Sequence, residues 1–336
     1  MELYLDSANI NEIEEAFKLG FLTGLTTTPT FMHRDGVTDI DGLILKLADM
    51  VPILQVEALG QTAEEIVAEA HRQLEMGLKK DRSVFKIPVS LEGVKACKIL
   101  TDQDIMVNVH LVYTLQQAYM AMEAGATYVC PLVGRLQDQG HDALELVSQC
   151  VEAVNYYGYD TKIMFSSVRY PEHIRNAINA GVHVCTVPWK VMKQLTENNF
   201  TTLGTDQFFE HTKLMTNNVK SALREVNPTV SESLAIPEAI LKMTEYGFGC
   251  VTVLDANGNL KGVFTDGDLR RLIGSKGDAV LGMKLSEMEY GTPKTVDAGA
   301  LLNDANDIFK ATQVDTLLVT ENGKPIGMLD IQDLAK

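Results

Sequence analysis

Cysteine is scarce in this chain of 336 residues: the five that occur (Cys97, Cys130, Cys150, Cys185, Cys250) are odd in number, far apart and without a C-x-x-C pair. A disulfide framework and a zinc knuckle are therefore both poorly supported, and reduced, buried thiols are expected. Proline is also sparse at 10 residues, and 46% hydrophobic against 22% charged residues is the profile of a packed chain rather than a disordered one. Long apolar runs are missing as well. Nowhere do about 18 uncharged apolar residues follow one another, and MELYLDSANI at the start has a charge at its second position and no apolar stretch of signal-peptide length. The expectation is a soluble cytoplasmic protein with no membrane partner. Positive charge is in deficit: 29 Lys+Arg against 45 Asp+Glu leaves a net charge of -16, a field that repels phosphate backbones and disfavours nucleic acid as a partner.

Several chemical signatures are absent too. There is no G-x-x-x-x-G-K-[ST], no G-x-G-x-x-G after a strand, no H-E-x-x-H and no G-x-S-x-G, and the seven histidines are dispersed without acids at metal-ligand spacing. No metal and no organic cofactor is expected, and a metal-dependent aldolase is disfavoured.

What is present falls into two grammars. Over 1–214, short β-rich apolar runs at 1–6, 24–28, 53–59, 83–89, 105–112, 126–134, 162–167 and 182–189 alternate with segments of helical spacing such as TAEEIVAEAHRQLEMGL. Eight strands alternating with helices are the arithmetic of a (β/α)8 barrel of the α/β class, with an open doubly wound sheet as the alternative. In a barrel the loops at the C-terminal ends of the strands share one mouth. Polar residues collect there: Asp6, Thr26, Thr27, Thr28, Glu57, Lys86, Asn108, His110, Arg135, Ser167 and Arg169.

From about 229 the pattern changes to an internal repeat. CVTVLDANGNLKGVFTDGDL (250–269) aligns without a gap to DTLLVTENGKPIGMLDIQDL (315–334), pairing Asn257-Gly258 with Asn322-Gly323 and Asp268 with Asp333. Each copy reads as a helix, a strand, an Asn-Gly turn of type I′, a second strand and the opening of a helix, a tandem α+β pair. The polar stretch 215–228 is expected to be a linker between a barrel over 1–214 and a smaller domain over 229–336.

Lys86 is the strongest chemical signal. It stands between Val84-Phe85 and Ile87-Pro88-Val89, where desolvation favours the neutral amine that forms Schiff bases with carbonyls. An ordinary strand-end lysine or one half of a buried ion pair is the competing reading. The order of MELYLDSANI, GLTTTPT, the Gln55 to Glu57 run, VFKIPVS, ATYVCPLVGR and SSVR resembles the transaldolase family, in particular the short branch that includes fructose-6-phosphate aldolase, over about 1–214. The resemblance implies a (β/α)8 barrel and ketose-phosphate chemistry. Lys86 would be the nucleophile, Asp6 a proton shuttle, and Glu57 the acid/base that handles a water. Arg135, Ser167 and Arg169 would hold the substrate phosphate, and Thr27, Thr28 and Asn108 would contact the sugar. Three positions depart from the family pattern: Thr28 replaces an Asn, His110 replaces a Thr and becomes a candidate acid/base, and Leu132 stands where the aldolase has a Tyr.

The repeat resembles a CBS-domain pair, through GVFTDGDLRR above all. That likeness implies an adenine nucleotide or sugar nucleotide near Thr265 and Asp268, while Asp330 in the second copy takes the Thr position beside Asp333. A homo-oligomer is expected. The function expected is a Schiff-base transaldolase or related aldolase with a nucleotide-responsive tail; the alternative is a catalytically inactive sugar-phosphate-binding or nucleotide-sensing protein.

Overall fold

A strand that is apolar on both faces is stable only when covered from both sides, and the N-terminal half meets that demand by wrapping its strands into a cylinder inside a helix layer. In chain order, β1 (Glu2–Asp6) leads to α1 (Ile10–Phe17), β2 (Gly24–Thr26) to α2 (Pro29–Arg34) and α3 (Ile40–Met50), β3 (Leu54–Glu57) to α4 (Ala63–Met76), and β4 (Ser83–Pro88) to α5 (Leu91–Thr101). β5 (Met106–Val112) leads to α6 (Leu115–Glu123), β6 (Tyr128–Pro131) to α7 (Val133–Asp138) and α8 (Ala143–Tyr157), β7 (Lys162–Phe165) to α9 (Pro171–Asn179), and β8 (Val184–Val187) to α10 (Trp189–Gln194). The structure, a computed structural model, describes residues 1–34, 36–224 and 227–335.

All eight strands are parallel to their neighbours, and pairing from Glu2↔Val184 to Leu5↔Val187 joins the first to the last. That closure replaces the doubly wound alternative with a closed barrel. Side chains facing inward near the strand starts (Tyr4, Val84, Tyr128, Met164, Val184) pack into a plug, with the Tyr4 and Tyr128 hydroxyls 3.2 Å apart. Outward-facing Phe85, Ile87, Val107 and Val109 are buried with Leu47, Ile66 and Leu100 of the helix layer. The plug fills the lower barrel, so function is confined to the upper end. Local signals start and stop the helices: Thr62 and Ser90 cap α4 and α5, and Gly125, at φ +78°, follows α6.

The compact units divide after Glu197, so that α11 (Asn199–Thr216) and the turn at Val219–Ala222 are counted with the second unit, Asn198–Lys336. The sequence pattern had placed these residues with the barrel and the 215–228 linker. Within that stretch Val219 is fully buried and belongs to the second unit's core, while Glu225 and Val226 lie outside the described residues. β9 (Thr229–Ser231), α12 (Ile236–Tyr246), β10 (Cys250–Leu254), β11 (Leu260–Thr265) and α13 (Asp266–Lys276) form the first copy. β12 (Thr295–Asp297), α14 (Leu302–Thr312), β13 (Thr316–Glu321) and β14 (Lys324–Asp330) form the second. Each copy has a three-stranded sheet, in the orders β11-β10-β9 and β12-β13-β14.

The two Asn-Gly turns differ. Asn322 and Gly323 both have positive φ, 52° and 76°, and join Glu321 to Lys324 in the expected two-residue turn. In the first copy only Gly258 does. There the Asp255 carboxylate accepts hydrogen bonds from the Asn257 and Asn259 amides, at 2.8 Å each. Its preference for local backbone donors opens the loop and overrides the type I′ expectation.

All five cysteines are buried and unpaired, and burial pushes the Cys130 and Cys250 thiols up to about 11. Among the described residues no helix is long and apolar enough to cross a membrane, and no group of three or more His, Cys, Asp or Glu is placed to hold a metal ion.

Candidate active site

Side chains alternate across a strand, so every second residue near a strand end enters the barrel. The register makes this a ring: Asp6 lies beside Thr26, Glu57 beside Lys86, and Lys86 beside Asn108, with His110 one inward step further along β5. The ring opens into a mouth of about 730 Å³ lined by Asp6, Thr28, Glu57, Lys86, Asn108 and His110 below and by Arg135, Ser167 and Arg169 at the rim.

Lys86 is 5% exposed. Its Nζ donates to Glu57 Oε1 at 2.9 Å and to the Thr27 carbonyl at 3.1 Å. The ammonium is thus one half of a buried ion pair. On the other side of the carboxylate, His110 Nε2 lies 2.9 Å from Glu57 Oε2. Among the described residues neither of these atoms has a straight hydrogen bond, so the imidazole approaches the carboxylate off axis. Burial alone would raise the Glu57 carboxyl, but the Lys86 charge and the His110 contact together outweigh it and hold it below the ordinary carboxylate range. Burial lowers His110 despite Glu57 beside it, which favours the neutral imidazole.

Asp6 has the opposite balance. Its carboxyl is raised by burial, only partly offset by a 2.7 Å hydrogen bond from Thr26 Oγ1 and the more distant charges of Lys86 and Arg34. Thr26 is itself held by Thr186, 2.5 Å away across the barrel seam. Asn108 donates to Gln55 at 2.6 Å and keeps a buried carbonyl oxygen with no partner among the described residues.

The rim arginines are brought together by a backbone contact. A β-carbon on Gly134 would sit 2.0 Å from the Ser167 carbonyl and 2.9 Å from Arg169 Nε, so only glycine lets the start of α7 approach the end of β7 this closely. Ser167 adopts φ 60°, rare for a residue with a side chain. Arg135 donates to the Tyr113 hydroxyl at 3.4 Å and Arg169 to Asp138 at 3.0 Å. Two guanidiniums and a hydroxyl at neighbouring strand ends suit a phosphate.

Of the residues expected from sequence, the mouth assembles Asp6, Thr28, Glu57, Lys86, Asn108, His110, Arg135, Ser167 and Arg169. Thr27 is placed differently: its carbonyl holds Lys86, while its side chain faces out toward the helices. The mouth also includes Arg34, Ser166, Thr186 and Lys190, which sequence reading passed over. Thr186 was legible in principle, since it is the inward residue of VHVCTVPW. Arg34 and Lys190 sit on helices after strand ends, where no strand periodicity marks them.

Residues 3–235 match the family described as transaldolase/fructose-6-phosphate aldolase. The chain belongs to that family. It is 35% identical over 215 residues to a probable transaldolase 2 from Bacillus anthracis, covering 62% of this chain and 96% of that protein. Identity to a probable transaldolase from Coprothermobacter proteolyticus is 39% over 212 residues, with 62% and 94% covered. Family membership makes an enzyme of the aldolase or transferase kind the reading of the barrel. Residues 213–275 and 291–336 match the CBS domain. A CBS-domain containing protein from Agrobacterium tumefaciens is similar over 35% of this chain and 90% of its own, at 27% identity and a TM-score of 0.33.

In the CBS pair, Thr265 and Asp268 close a reciprocal cap on α13: the Thr265 amide and hydroxyl donate to Asp268 Oδ2 at 2.9 and 2.7 Å, and the Asp268 amide donates to Thr265 Oγ1 at 3.1 Å. Arg271 also reaches Asp268. Asp333 is held by Arg224, whose Nε lies 3.0 Å from both carboxylate oxygens and whose guanidinium stacks 4.2 Å over Phe248.

Proposed function

We propose that the barrel is a class I, Schiff-base transaldolase or related aldolase acting on phosphorylated ketoses, with Lys86 as nucleophile. The observation that carries this reading is a buried lysine amine in hydrogen-bond contact with a carboxylate, in a mouth whose rim holds two arginines. Lys86 first passes a proton to Glu57, and the free amine attacks the ketose carbonyl to form a C–N bond and a carbinolamine. Loss of water needs an acid, and Asp6, kept protonated more readily by burial, supplies the proton to the departing hydroxyl. Cleavage of the bond between C3 and C4 sends its electron pair into the iminium and releases an aldehyde as the Asp6 carboxylate, left by the dehydration step, takes the proton of the C4 hydroxyl. The enamine left behind attacks an acceptor aldehyde in transfer, or takes a proton in simple cleavage. His110 orients the Glu57 carboxylate and relays the proton of the hydrolytic water. Arg135, Ser167 and Arg169 hold the phosphate that donor and acceptor share, and Thr28 and Asn108 contact the sugar hydroxyls.

Borohydride reduction in the presence of fructose 6-phosphate tests this. The expected result is added mass on the peptide carrying Lys86 and none in Lys86→Met; no adduct with any of a panel of ketose phosphates would leave the inactive-barrel alternative. Adding erythrose 4-phosphate separates the two activities, since transfer yields sedoheptulose 7-phosphate and glyceraldehyde 3-phosphate only when the acceptor is present.

The CBS pair, in the same reading, binds one adenine or sugar nucleotide at the first copy, through Thr265 and Asp268. The contrast between the copies supports it: the Asp333 side chain is 3% exposed and locked to Arg224, whereas that of Asp268 is 28% exposed. Calorimetric titration with AMP, ADP, ATP and CMP-sugars on wild type and Asp268→Ala decides it, and equal binding by the two proteins would sink the assignment.

A further inference from the structure

The two rim arginines stand on different elements, Arg135 in α7 and Arg169 in the loop between β7 and α9, so their separation depends on what ties that loop to that helix. Gly134 lets the two backbones come close, but a contact that permits an approach does not hold it. The ion pair between Arg169 and Asp138 of α7 is about half exposed on both sides, and such pairs constrain little. The firmer tie comes from α9.

Pro171 opens α9 at a first helical position, where its missing N–H costs nothing, and Tyr170 before it supplies no side-chain cap. His173, the third residue of the helix, is placed to reach back over the start of its own helix, as the third residue of a capping box does. It is 1% exposed. Its Nδ1 accepts from the Arg169 backbone N–H at 3.3 Å, and its Nε2 lies 2.7 Å from Gln137 Oε1 on α7. A backbone N–H can only donate, so Nδ1 is the unprotonated nitrogen, and Nε2 carries the proton that it gives to Gln137.

The ring is therefore a neutral imidazole with both nitrogens committed. Tyr170 and Phe165, with ring centroids 4.1 and 5.9 Å away, hold its plane. Burial lowers His173, and the Arg169 charge adds to this against Glu172 and Asp138, in keeping with the neutral form. Neither His173 nor Gln137 lines the mouth, so any effect of this pair on a ligand passes through the residues they hold.

We propose that His173 is a positioning residue of the phosphate rim: by bonding the Arg169 backbone with one nitrogen and Gln137 of α7 with the other, it fixes the separation of the two guanidiniums. Forked donors on two elements grip one phosphate only while that separation is kept. The proposal rests on the reading of the rim as the phosphate site and is independent of the chemistry assigned to Lys86.

The test is calorimetric titration of the full chain with fructose 6-phosphate at about pH 8, where the imidazole is neutral. His173→Phe keeps a ring against Phe165 and Tyr170 and loses both hydrogen bonds, and should raise Kd about fivefold. His173→Asn, whose Oδ1 can take the place of Nδ1 and accept from the Arg169 amide, should bring Kd back to about twofold above wild type. Gln137→Met cuts the tie from the other side and should cost about threefold, and the double variant with His173→Phe should stay near fivefold, because both changes remove the same bond. Arg169→Ala should cost tenfold or more, on the order of a lost charge-assisted pair. Wild-type affinity in His173→Phe, or equal losses in His173→Phe and His173→Asn, overturns the positioning role while leaving the rim reading in place. Should His173→Phe not melt cooperatively, wild-type affinity in Gln137→Met overturns it. No binding by the wild type, or undiminished binding by Arg169→Ala, overturns the rim reading and the proposal with it.

Discussion

Asp6 and Glu57 are carboxylates buried in the same barrel mouth, yet their surroundings push them in opposite directions. Asp6 is raised by burial, and Glu57 is lowered because Lys86 and His110 outweigh burial. A raised carboxyl weakens the fold at neutral pH, since the charged form is the one the unfolded chain accommodates better. Asp6→Asn should therefore raise the unfolding free energy at pH 7 by about 1 kcal/mol while removing turnover, a gain that thermal melts at successively lower pH should show shrinking as Asp6 becomes protonated. For Glu57 the sign is reversed. Its folded pKa is depressed, so its contribution to stability is complete above the ordinary carboxylate range and is lost as pH falls through the lowered value. His110→Phe removes one of the two groups that hold Glu57 down. The acidic limb of the kcat/KM profile should then move to higher pH, and His110→Gln, which can place an amide N–H beside the carboxylate, should move it back toward wild type. An unshifted limb in His110→Phe would mean that Glu57 is not the base whose ionisation limits the rate.

Gly134 shows how the first turn of a helix sets the rim. Because a β-carbon there would meet the Ser167 carbonyl at 2.0 Å, Gly134→Ala must push α7 away from the end of β7 and carry Arg135 with it. Overpacking of this kind costs about 1 to 3 kcal/mol in stability. Misplacing a phosphate-holding arginine by an ångström should raise KM for a sugar phosphate by about tenfold or more, whereas the borohydride adduct on Lys86 should still form at saturating substrate. The strands and the site they carry were legible for one reason: a buried parallel strand reads as an apolar run, so an ionisable residue inside one, such as Lys86, stands out. Parity within each run separates Thr26 from Thr27, and a three-residue strand like β2 is too short for a pattern to reveal it. Arg34 and Lys190 were missed because helices after strand ends carry no alternation. The first Asn-Gly turn was misjudged because a single carboxylate, Asp255, collects the local amides and outweighs the dipeptide's preference.

Each unit closes a core of its own, Phe85, Ile87 and Val109 among others in the first, Phe309, Leu317 and Val319 or Phe264, Val251 and Val253 in the second. The helix α11 does not follow that rule. Only Leu214 among its residues is buried, while Phe200, Leu203, Phe208, Phe209 and Met215 are exposed, Phe200 by 84% and Phe208 and Phe209 by more than 70%. Fully burying one large apolar side chain is worth about 1.5 to 3 kcal/mol, so several of them left in water on one helix are a strong incentive for association. With a net charge of -16 repelling copies at long range, contact between copies has to be driven by short-range burial of this kind. The expectation of a homo-oligomer thereby acquires a residue-level test: sedimentation should find the wild type larger than one chain, and Phe208→Glu with Phe209→Glu should reduce its size. Association also links stability to concentration, so the wild type's melting temperature should rise with protein concentration and the double variant's should not. A monomeric wild type whose melting is independent of concentration would remove the homo-oligomer and leave the exposed apolar side chains of α11 to another partner.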